Sequence, residues 1–528
     1  MNNSGSGPLS GNETNSAQLN ASPKQGESLY WILFCILILL LNSFQRLNDY
    51  RCMAGDMGLY LQCGQLLLAG KRPYVDFFDT NPPLIMYLSM IPAMVQNLLG
   101  GNIVFWFQIS MLAISLITAS ILALFLIQAP KRYLFHAALG CISLMSMLSM
   151  FDFGQREFLF FLFFLPYFFF SITRTNGQKP GGKFYLPLSI LIGILAGIGL
   201  SLKPHFLIFL LFLEGWTLKN CGLSYLKFML RPELLACILT GALYGLHFLF
   251  LPADIKYGFF DKLMPMMVTG FSAYDSDKPF FLSGLWVPLT FYSLIAIALL
   301  AINFKKMPIA FPLLLMLASS ILLIVIQAKN WSYYGIPLLG FSTLSYLILV
   351  FSITPGRKAR FAQIACLAVC AIYSMTQFFW TNKVASAMDF SFAPVVKKFA
   401  SKNDKVLFLD TTSCPWYAFA SFENIMPACR YMWLFPVSMS EYELNLKKNE
   451  RIKPAILARE EEAIKNILTD AQKNKPPLIV CRKTGAYKMP EQTNLYLFLK
   501  DKGLAPLFKQ YKIQQEDANY VYLTPNPD

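Results

Sequence analysis

Long apolar runs recur through most of this chain, and they limit its fold more than any other feature. About 12 runs have spanning length or close to it, between residues 28 and 380. Of the 528 residues, 55% are hydrophobic and 14% are charged, against roughly 25% charged residues in ordinary soluble proteins. This composition excludes a purely soluble protein. We predict an α-helical polytopic membrane protein with about 11–13 transmembrane helices.

The two ends of the chain differ from this apolar middle. Residues 1–27 are polar, rich in Asn, Ser and Gly, and lack apolar periodicity, so we expect a disordered cytoplasmic tail. From about residue 383 charges become frequent, and the segments KVLFLD, PPLIVC and NYVYLT are typical of short buried strands around a Lys/Glu-rich helix. We therefore predict a membrane domain over residues 28–382 and a C-terminal soluble α/β domain over residues 383–528.

The positions of Lys and Arg predict the orientation of the membrane domain. They concentrate in short loops, and loops rich in Lys and Arg stay in the cytoplasm. This places a large first loop, residues 46–81, on the extracytoplasmic face. The segments that join it there are 151–157, 202–205, 253–282, 328–331 and the C-terminal domain. The alternation works only if residues 82–128 make one net crossing, so we expect 82–99, which contains Pro92, to be re-entrant, peripheral or broken. The alternative is that the charge rule fails in this region.

Several classes of partner and site are not indicated. The formal net charge is +15, but the basic residues are spread over many loops rather than gathered in one stripe, so we do not expect nucleic acid as a partner. The 11 Cys are scattered without a CxxC pair, and the three His (His136, His205 and His247) stand far apart, which favours neither a zinc site nor a disulfide scaffold. The sequence leaves open whether Cys414 and Cys429 pair.

The first loop carries the acidic residues best suited to catalysis. Asp56 and Tyr60 precede the amphipathic segment QCGQLLLAG, and Asp76 and Asp79 follow in the stretch GKRPYVDFFDTNPPL. A partly desolvated carboxylate at the edge of a bilayer is more basic than usual and can take a proton from an acceptor hydroxyl. A structural role is the alternative, because Asp is a favoured N-cap and a helix is predicted to begin at Met57.

Further polar segments interrupt the apolar runs on the same predicted face. They contain Asp152, Gln155, Arg156 and Glu157; Lys203 and His205; and Lys329 and Tyr333. Ionisable groups at membrane depth cost about 2.5–3.5 kcal/mol, so such a group indicates function. Basic side chains beside a bilayer cavity can hold a lipid-linked phosphate, and Arg does so as a bidentate fork. An interfacial turn, a helix break at proline and an aromatic belt are the structural alternatives.

At these residues the sequence resembles the multi-spanning glycosyltransferases of the C superfamily, which include protein O-mannosyltransferases and bacterial lipid A aminoarabinose transferases. The resemblance rests on an acid early in the first loop, on Gly-x-x-Pro-Tyr-x-Asp-Phe-x-Asp-x-x-Pro-Pro-Leu at 70–84, and on Gly-Gln-Arg-Glu at 154–157. Its layout covers residues 28–380, and its motifs lie before residue 160. Many relatives carry Glu directly after the first-loop Asp, whereas this chain has Met57. That departure favours a bacterial relative acting on a small glycan over the protein mannosyltransferases.

The resemblance implies an enzyme of the bacterial inner membrane. Such an enzyme transfers a sugar on the extracytoplasmic face, from a polyprenyl-phosphate donor to a glycan, lipid or protein acceptor. We expect an inverting hexosyl- or pentosyltransferase with Asp56 as catalytic base and Glu157, or alternatively Asp152, as the second acid. The expected substrate-binding residues are Tyr60, Asp76, Asp79, Gln155, Arg156, Lys203, His205, Lys329 and Tyr333. No cofactor is expected; a divalent cation is the alternative, but no His ligands stand nearby.

Other functions stay open at this point. A transporter or flippase of a lipid-linked or anionic solute would also have many spans, intramembrane charges and helices broken at proline. A polymerase or ligase of envelope polysaccharide would use lipid-linked glycans too. The membrane part could also serve only to anchor the C-terminal domain, although so many spans exceed what an anchor requires.

Overall fold

The fold is taken from a computed structural model, which describes residues 25–47, 49–127, 132–175, 184–222, 224–275, 286–352, 357–447, 453–490 and 492–527. Most of the predicted disordered tail lies outside the described residues. Its last three residues, 25–27, instead begin the first helix. The described chain consists of an apolar helical region followed by a small mixed sheet with helices, which confirms the predicted fold class.

The helical region extends to residue 387. Its helices are α1 (Gln25–Arg46), α2 (Gly55–Leu68), α3 (Leu84–Leu99), α4 (Ile103–Leu126), α5 (Tyr133–Leu148), α6 (Arg156–Thr175), α7 (Tyr185–Ser201), α8 (Leu207–Asn220), α9 (Tyr225–Met229), α10 (Pro232–Phe250), α11 (Ala253–Lys256), α12 (Met264–Gly270), α13 (Val287–Ile302), α14 (Ala310–Gln327), α15 (Ile336–Ser352) and α16 (Arg357–Ala387). Within the described residues, five segments are long and apolar enough to cross a membrane: α4, α6, α10, α14, and α15 with the turn before it. Shorter apolar helices lie in α1, α3, α5, α7, α13 and α16. The predicted domain boundary at residue 382 falls inside α16, because the helix continues to Ala387.

Helix α6 is the most enclosed of the spanning helices. Its side chains from Arg156 to Thr173 are all buried, and it packs against α4, α7, α8 and α15. Phenylalanine rings fill the contacts: Phe160 stacks on Phe206 at a centroid distance of 4.2 Å, and Phe161 meets Phe341 edge to face at 5.3 Å. The charged residues at the start of α6 are therefore held by a helix with little freedom to move.

Helix α3 lies along one end of the bundle rather than across it. Near its start, the Tyr87 hydroxyl is 2.9 Å from Nε2 of His247, close to the C-terminal end of α10. Near its end, Gln96 Nε2 donates to Asn424 Oδ1 in the C-terminal domain. With 16 residues α3 is also shorter than the about 20 that a span requires. The peripheral, re-entrant or broken character expected for residues 82–99 stays a prediction.

The C-terminal domain is built on a sheet of five strands in the order β2-β1-β3-β5-β4. Its elements are α17 (Phe392–Phe399), β1 (Lys405–Leu409), α18 (Trp416–Glu423), β2 (Met426–Pro427), α19 (Phe435–Tyr442), α20 (Lys453–Asn474), β3 (Ile479–Arg482), α21 (Leu495–Leu499), α22 (Ala505–Phe508), β4 (Tyr511–Glu516) and β5 (Tyr520–Pro525). Strand β1 is parallel to β2 and β3, whereas β5 is antiparallel to β3 and β4. Strands β1, β3 and β5 lie in the three segments predicted as strands. Both faces of these three strands are buried: Leu407, Ile479 and Leu523 lie in one apolar cluster, and Val406, Val480 and Tyr522 lie in another.

The C-terminal domain packs directly on α2, the helix of the first loop. Two glycines allow the close approach. A Cβ atom at Gly58 would lie 2.2 Å from the carbonyl oxygen of Tyr417 in α18, and one at Gly55 would lie 2.6 Å from Cα of Cys414 in the loop before α18. Ser421 Oγ donates to the Gly58 carbonyl oxygen (2.8 Å), and Gln62 Nε2 donates to the Ile425 carbonyl oxygen (2.6 Å). Helix α2 is thus fixed from the side of the C-terminal domain.

We expect Gly58→Ala to lower the melting temperature of the purified protein in detergent. The added methyl group would meet a backbone atom, so α2 and α18 must separate, and overpacking of this kind costs about 1–3 kcal/mol. Gly215→Ala in α8 is the matched control, because no atom lies within 4 Å of a Cβ atom there. Alanine is also the better helix former, so the control should melt no lower than wild type. Equal melting temperatures for Gly58→Ala and wild type would contradict the close packing.

Candidate active site

A tight turn between α5 and α6 presents a group of polar residues at the start of α6. Gly154 makes the turn possible: its φ is +83°, and a Cβ atom there would lie 2.3 Å from the Phe107 ring, so no other residue fits. The backbone N–H of Gln155 donates to the carbonyl oxygen of Asp152 (3.0 Å) and closes the turn. Asp152, Gln155 and Arg156 are consequently buried next to one another.

The first loop is joined to this turn through its backbone. The N–H of Ala54 donates to the carbonyl oxygen of Phe151 (3.0 Å), which brings the start of α2 beside the start of α6. Asp56 lies in the first turn of α2 and does not cap it, because the helix begins at Gly55 and its N-cap is Ala54. The capping alternative for Asp56 is therefore wrong. Its half-buried carboxylate instead accepts a hydrogen bond from Ser413 Oγ of the C-terminal domain (2.8 Å).

Two buried cations face this region from different helices. Lys203, in the break between α7 and α8, forms a buried ion pair with Glu157, and its Nζ atom is 4.3 Å from the centroid of the Tyr334 ring and 5.0 Å from that of Tyr333. The guanidinium carbon of Arg156 is 5.7 Å from the centroid of the Tyr60 ring. Aromatic faces attract cations, so these rings hold both basic groups in place.

Charge interactions connect these groups into one site. The negative charge of Asp56 is close enough to change the proton affinity of Asp79, Asp152 and Lys203. The positive charge of Arg156 does the same to Tyr60, Asp79 and Lys203. We name this set the polar cluster; its members are Asp56, Tyr60, Asp79, Asp152, Arg156, Glu157, Lys203, Tyr333 and Tyr334. The structure thus brings together most of the residues predicted from four distant segments of the chain.

Three predicted residues lie at the margin of the cluster or outside it. Asp76 is on the surface, where it forms an ion pair with Arg72, and that guanidinium lowers its pKa. Lys329 is buried and pairs with Asp275 (2.8 Å). His205 is exposed near Lys203 and Lys329, and burial of part of the ring and these two positive charges lower its pKa.

The cluster contains buried polar atoms that find no hydrogen-bond partner among the described residues. They are the Tyr60 hydroxyl, Nε of Arg156 and Oε2 of Glu157, together with both amide atoms of Gln155, the predicted residue directly before Arg156. Buried polar groups in proteins are nearly always paired, and an unpaired one is costly. Donors and acceptors left open next to one another give this region the capacity to bind a polar ligand.

Burial changes the proton affinity of three groups in the loops of the cluster. It raises the pKa of Asp79 to about 6 and that of Asp152 to about 7. The nearby charges of Glu157 and Asp56 raise the pKa of Asp152 further. Burial and the Arg156 charge lower the pKa of Lys203 to about 7, against the opposing influence of Glu157. At neutral pH these groups can therefore exchange protons at little cost, which ordinary Asp and Lys side chains cannot do.

Cysteine and metal chemistry show no additional site in the part of the chain that the structure covers. Cys414 and Cys429 are free thiols. Across the described ranges, no group of three or more His, Cys, Asp or Glu side chains is arranged to hold a metal ion.

Sequence reasoning missed two residues that contact the cluster. Tyr334 adjoins the predicted Tyr333, yet only the fold reveals that it is the ring nearer to Lys203. Ser413 is 357 residues away from Asp56 in the chain, and a single serine in a C-terminal loop carries no sequence signal for this contact.

Comparison with solved structures finds the same fold in "ArnT from Cupriavidus metallidurans bound to Undecaprenyl phosphate". The TM-score is 0.54 at 11% sequence identity, over 96% of this chain and 100% of that chain. Weaker similarities are found to the archaeal oligosaccharyltransferase AglB from Archaeoglobus fulgidus, in complex with an inhibitory peptide and a dolichol-phosphate (TM-score 0.47, 12% identity, 86% of this chain and 70% of that one), and to ArnT from Cupriavidus metallidurans in the apo state (0.45, 12%, 95% and 100%).

No family model and no curated protein matches the sequence. The chain thus shares the fold of ArnT, in agreement with the fold expected from the resemblance in its sequence.

The buried Asp79 predicts a pH-dependent effect of removing its charge. The pKa of Asp79 is about 6 in the folded protein and about 3.9 in the unfolded chain. Between these two pH values the folded protein keeps a proton on Asp79 that the unfolded chain has released, so the contribution of Asp79 to stability falls as the pH rises from about 4 to 6. We expect Asp79→Asn to raise the free energy of unfolding at pH 8 by up to about 3 kcal/mol, with a smaller gain at pH 5. Thermal melts in detergent at both pH values measure this.

Asp76→Asn is the control for that experiment. Asp76 belongs to the same loop, but it is exposed and its pKa is lowered, so its neutralisation should give no stabilisation at pH 8. An Asp79→Asn variant that melts below wild type at pH 8, or by a margin that does not depend on pH, would contradict the cost assigned to the buried charge.

Proposed function

We propose that this protein is a membrane glycosyltransferase that moves a sugar from a polyprenyl-phosphate donor to a glycan, lipid or protein acceptor. The observation that carries the proposal is the polar cluster: a half-buried carboxylate beside two buried cations with open hydrogen-bonding atoms. The fold supports it, since the chain shares its architecture with a protein solved with undecaprenyl phosphate. A bulky lipid phosphate must reach its site from the bilayer, and a cluster at the ends of spanning helices allows this.

In this proposal Arg156 and Lys203 bind the donor phosphate. The Nε atom of Arg156 is a buried donor without a partner in the described chain, so it can bind one phosphate oxygen, and its Nη atoms belong to the same rigid fork. Lys329 pairs with Asp275, and His205 lies near both lysines as a hydrogen-bonding group, so Arg156 and Lys203 supply the two positive charges. These cations stabilise the negative charge that develops on the phosphate as the bond to the sugar breaks.

Asp56 is the catalytic base in the same proposal. One of its carboxylate oxygens accepts the Ser413 hydroxyl, and no second hydrogen bond to this carboxylate is found within the described residues. The other oxygen is left to take the proton of the acceptor hydroxyl while the hydroxyl oxygen attacks the anomeric carbon. A single displacement of this kind inverts the anomeric configuration. Glu157 orients Lys203, while Tyr60, Asp79, Gln155 and Tyr333 surround the sugar; Asp152 is the alternative second acid.

We place the site on the extracytoplasmic face of the bacterial inner membrane. The loops rich in Lys and Arg support this placement, because they belong to the opposite ends of the helices. The C-terminal domain packs on α2 beside the polar cluster, so the same placement makes that domain extracytoplasmic.

Replacing Asp56 by Asn tests the proposed transfer. We expect activity to fall by about 10²- to 10⁴-fold, because the amide cannot accept the acceptor proton. Mass spectrometry of envelope glycans and of polyprenyl-phosphate sugars, in cells with equal amounts of each variant, should show one sugar missing from a glycan while its lipid-linked donor accumulates.

Asp49→Asn is the matched control, because this half-buried first-loop aspartate pairs with the exposed Arg51. Its glycans should equal those of wild type. If Asp56→Asn cells also match wild type although deletion of the whole gene changes the glycans, the transferase proposal fails, and transport of a lipid-linked solute becomes the better explanation.

Arg156→Lys tests the phosphate site separately from the chemistry. Lysine keeps the charge but loses the planar fork, and hydrogen bonds to charged groups contribute about 1.5–3 kcal/mol, so the Kd for undecaprenyl phosphate should rise about 10- to 100-fold. Binding of that lipid to the purified protein measures this. Arg430→Lys, which alters a bidentate arginine paired with Asp470 in the C-terminal domain, should leave the Kd unchanged. Equal Kd values for Arg156→Lys and wild type would remove Arg156 from the phosphate site.

A further inference from the structure

A side chain of the C-terminal domain reaches the proposed catalytic base. Ser413 follows β1 in the sequence, and its Oγ atom donates to Oδ1 of Asp56 over 2.8 Å. Ser413 is itself buried. This hydrogen bond joins the C-terminal domain to helix α2. Its acceptor is the carboxylate that takes the proton in the proposed reaction.

The loop that carries Ser413 is held by buried charge. Asp410, directly after β1, pairs with Arg482 at the end of β3 (2.9 Å), and Arg482 Nη1 also lies 3.2 Å from the Tyr520 hydroxyl of β5. The N–H of Leu434 donates to the Asp410 carbonyl oxygen (2.8 Å). Three strands of the sheet thus fix the start of this loop three residues before Ser413.

The partner of Ser413 is held just as closely. A Cβ atom at Gly55, the residue before Asp56, would lie 2.6 Å from Cα of Cys414, the residue after Ser413. The segment that contains Asp56 and the segment that contains Ser413 are therefore in backbone contact next to this hydrogen bond. The backbones that carry Asp56 and Ser413 cannot move apart without separating α2 from the C-terminal domain.

We propose that Ser413 is a positioning residue of the transfer reaction, and that the C-terminal domain thereby forms part of the active site. Its hydroxyl holds one carboxylate oxygen of Asp56, so that the other oxygen faces the acceptor hydroxyl. This inference rests on the proposed function, in which Asp56 is the base. It gives the C-terminal domain a role in the reaction itself, in addition to any contact with the acceptor.

Ser413→Ala tests the positioning role of Ser413 through its separate effects on kcat and KM. A fixed base acts in the transition state and contributes little to substrate binding, so we expect kcat to fall about 10- to 100-fold while KM for the donor stays within about twofold. The donor used is the polyprenyl-phosphate sugar that accumulates in Asp56→Asn cells, extracted and supplied to membranes with equal amounts of each variant. Its consumption is followed by mass spectrometry.

Two conservative variants make the result independent of folding. Ser413→Thr retains the hydroxyl and should recover most of the lost kcat. Ser413→Cys has nearly the same shape but only a weak donor, so it should lose kcat although it folds as wild type does. Ser421→Ala is the matched control, since Ser421 lies in the same interface and donates to the Gly58 carbonyl oxygen rather than to Asp56. That control should keep the kcat of wild type.

A double-mutant comparison separates positioning from packing. When Asp56 is already Asn, the added Ser413→Ala substitution should cause no further loss of activity, because the two residues act as one unit. Wild-type kcat in both Ser413→Ala and Ser413→Cys, while Asp56→Asn stays inactive, would overturn the role of Ser413 and leave the proposed function intact. Full activity of Asp56→Asn would overturn the proposed function first, and this inference with it.

Discussion

The buried ion pair between Lys203 and Glu157 is the interaction on which the rest of the site depends. Taking two charges out of water costs several kcal/mol per ion, and their attraction repays this cost only when the geometry is good. Here the neighbouring Arg156 adds a second buried cation, and Asp56, Asp79 and Asp152 add acidic groups to the same cluster. A phosphate bound by Arg156 and Lys203 would favour the protonated form of Lys203, whose pKa burial has lowered to about 7. The ion pair with Glu157 holds Lys203 in the position from which it would contact that phosphate.

The fold encloses this ion pair and fixes its geometry. Helix α6 carries Arg156 and Glu157 and is packed on all sides by aromatic and aliphatic residues. The Gly154 turn directs its first residues toward α2, and the Gly55 and Gly58 contacts hold α2 against the C-terminal domain. Each of these close approaches occurs at a glycine because any side chain would occupy the space of a backbone or ring. The elements that carry the polar cluster are thus set by steric contact as well as by charge.

Much of the fold and part of the site could be predicted from the sequence. The spans follow from long apolar runs, and three strands follow from short β-branched segments, since both patterns are local. The convergence of Asp56, Arg156 and Lys203 followed from topology and charge. What could not be predicted depends on three-dimensional packing. Asp76 and Asp79 belong to one motif, yet only the fold shows that the first is exposed beside Arg72 and the second buried.

The three acids of the loops near Arg156 differ in ways that favour Asp56 as the base. Burial raises the pKa of Asp79 to about 6 and that of Asp152 to about 7, so each holds a proton for part of the time near neutral pH. Both are buried, whereas the Asp56 carboxylate is half-buried and, among the residues that the structure describes, accepts a hydroxyl donor on one oxygen only. An acceptor hydroxyl that arrives from outside can therefore meet Asp56 first. Asp79 and Asp152 are better suited to receive a proton later or to bind sugar hydroxyls, which divides the acidic residues between two roles.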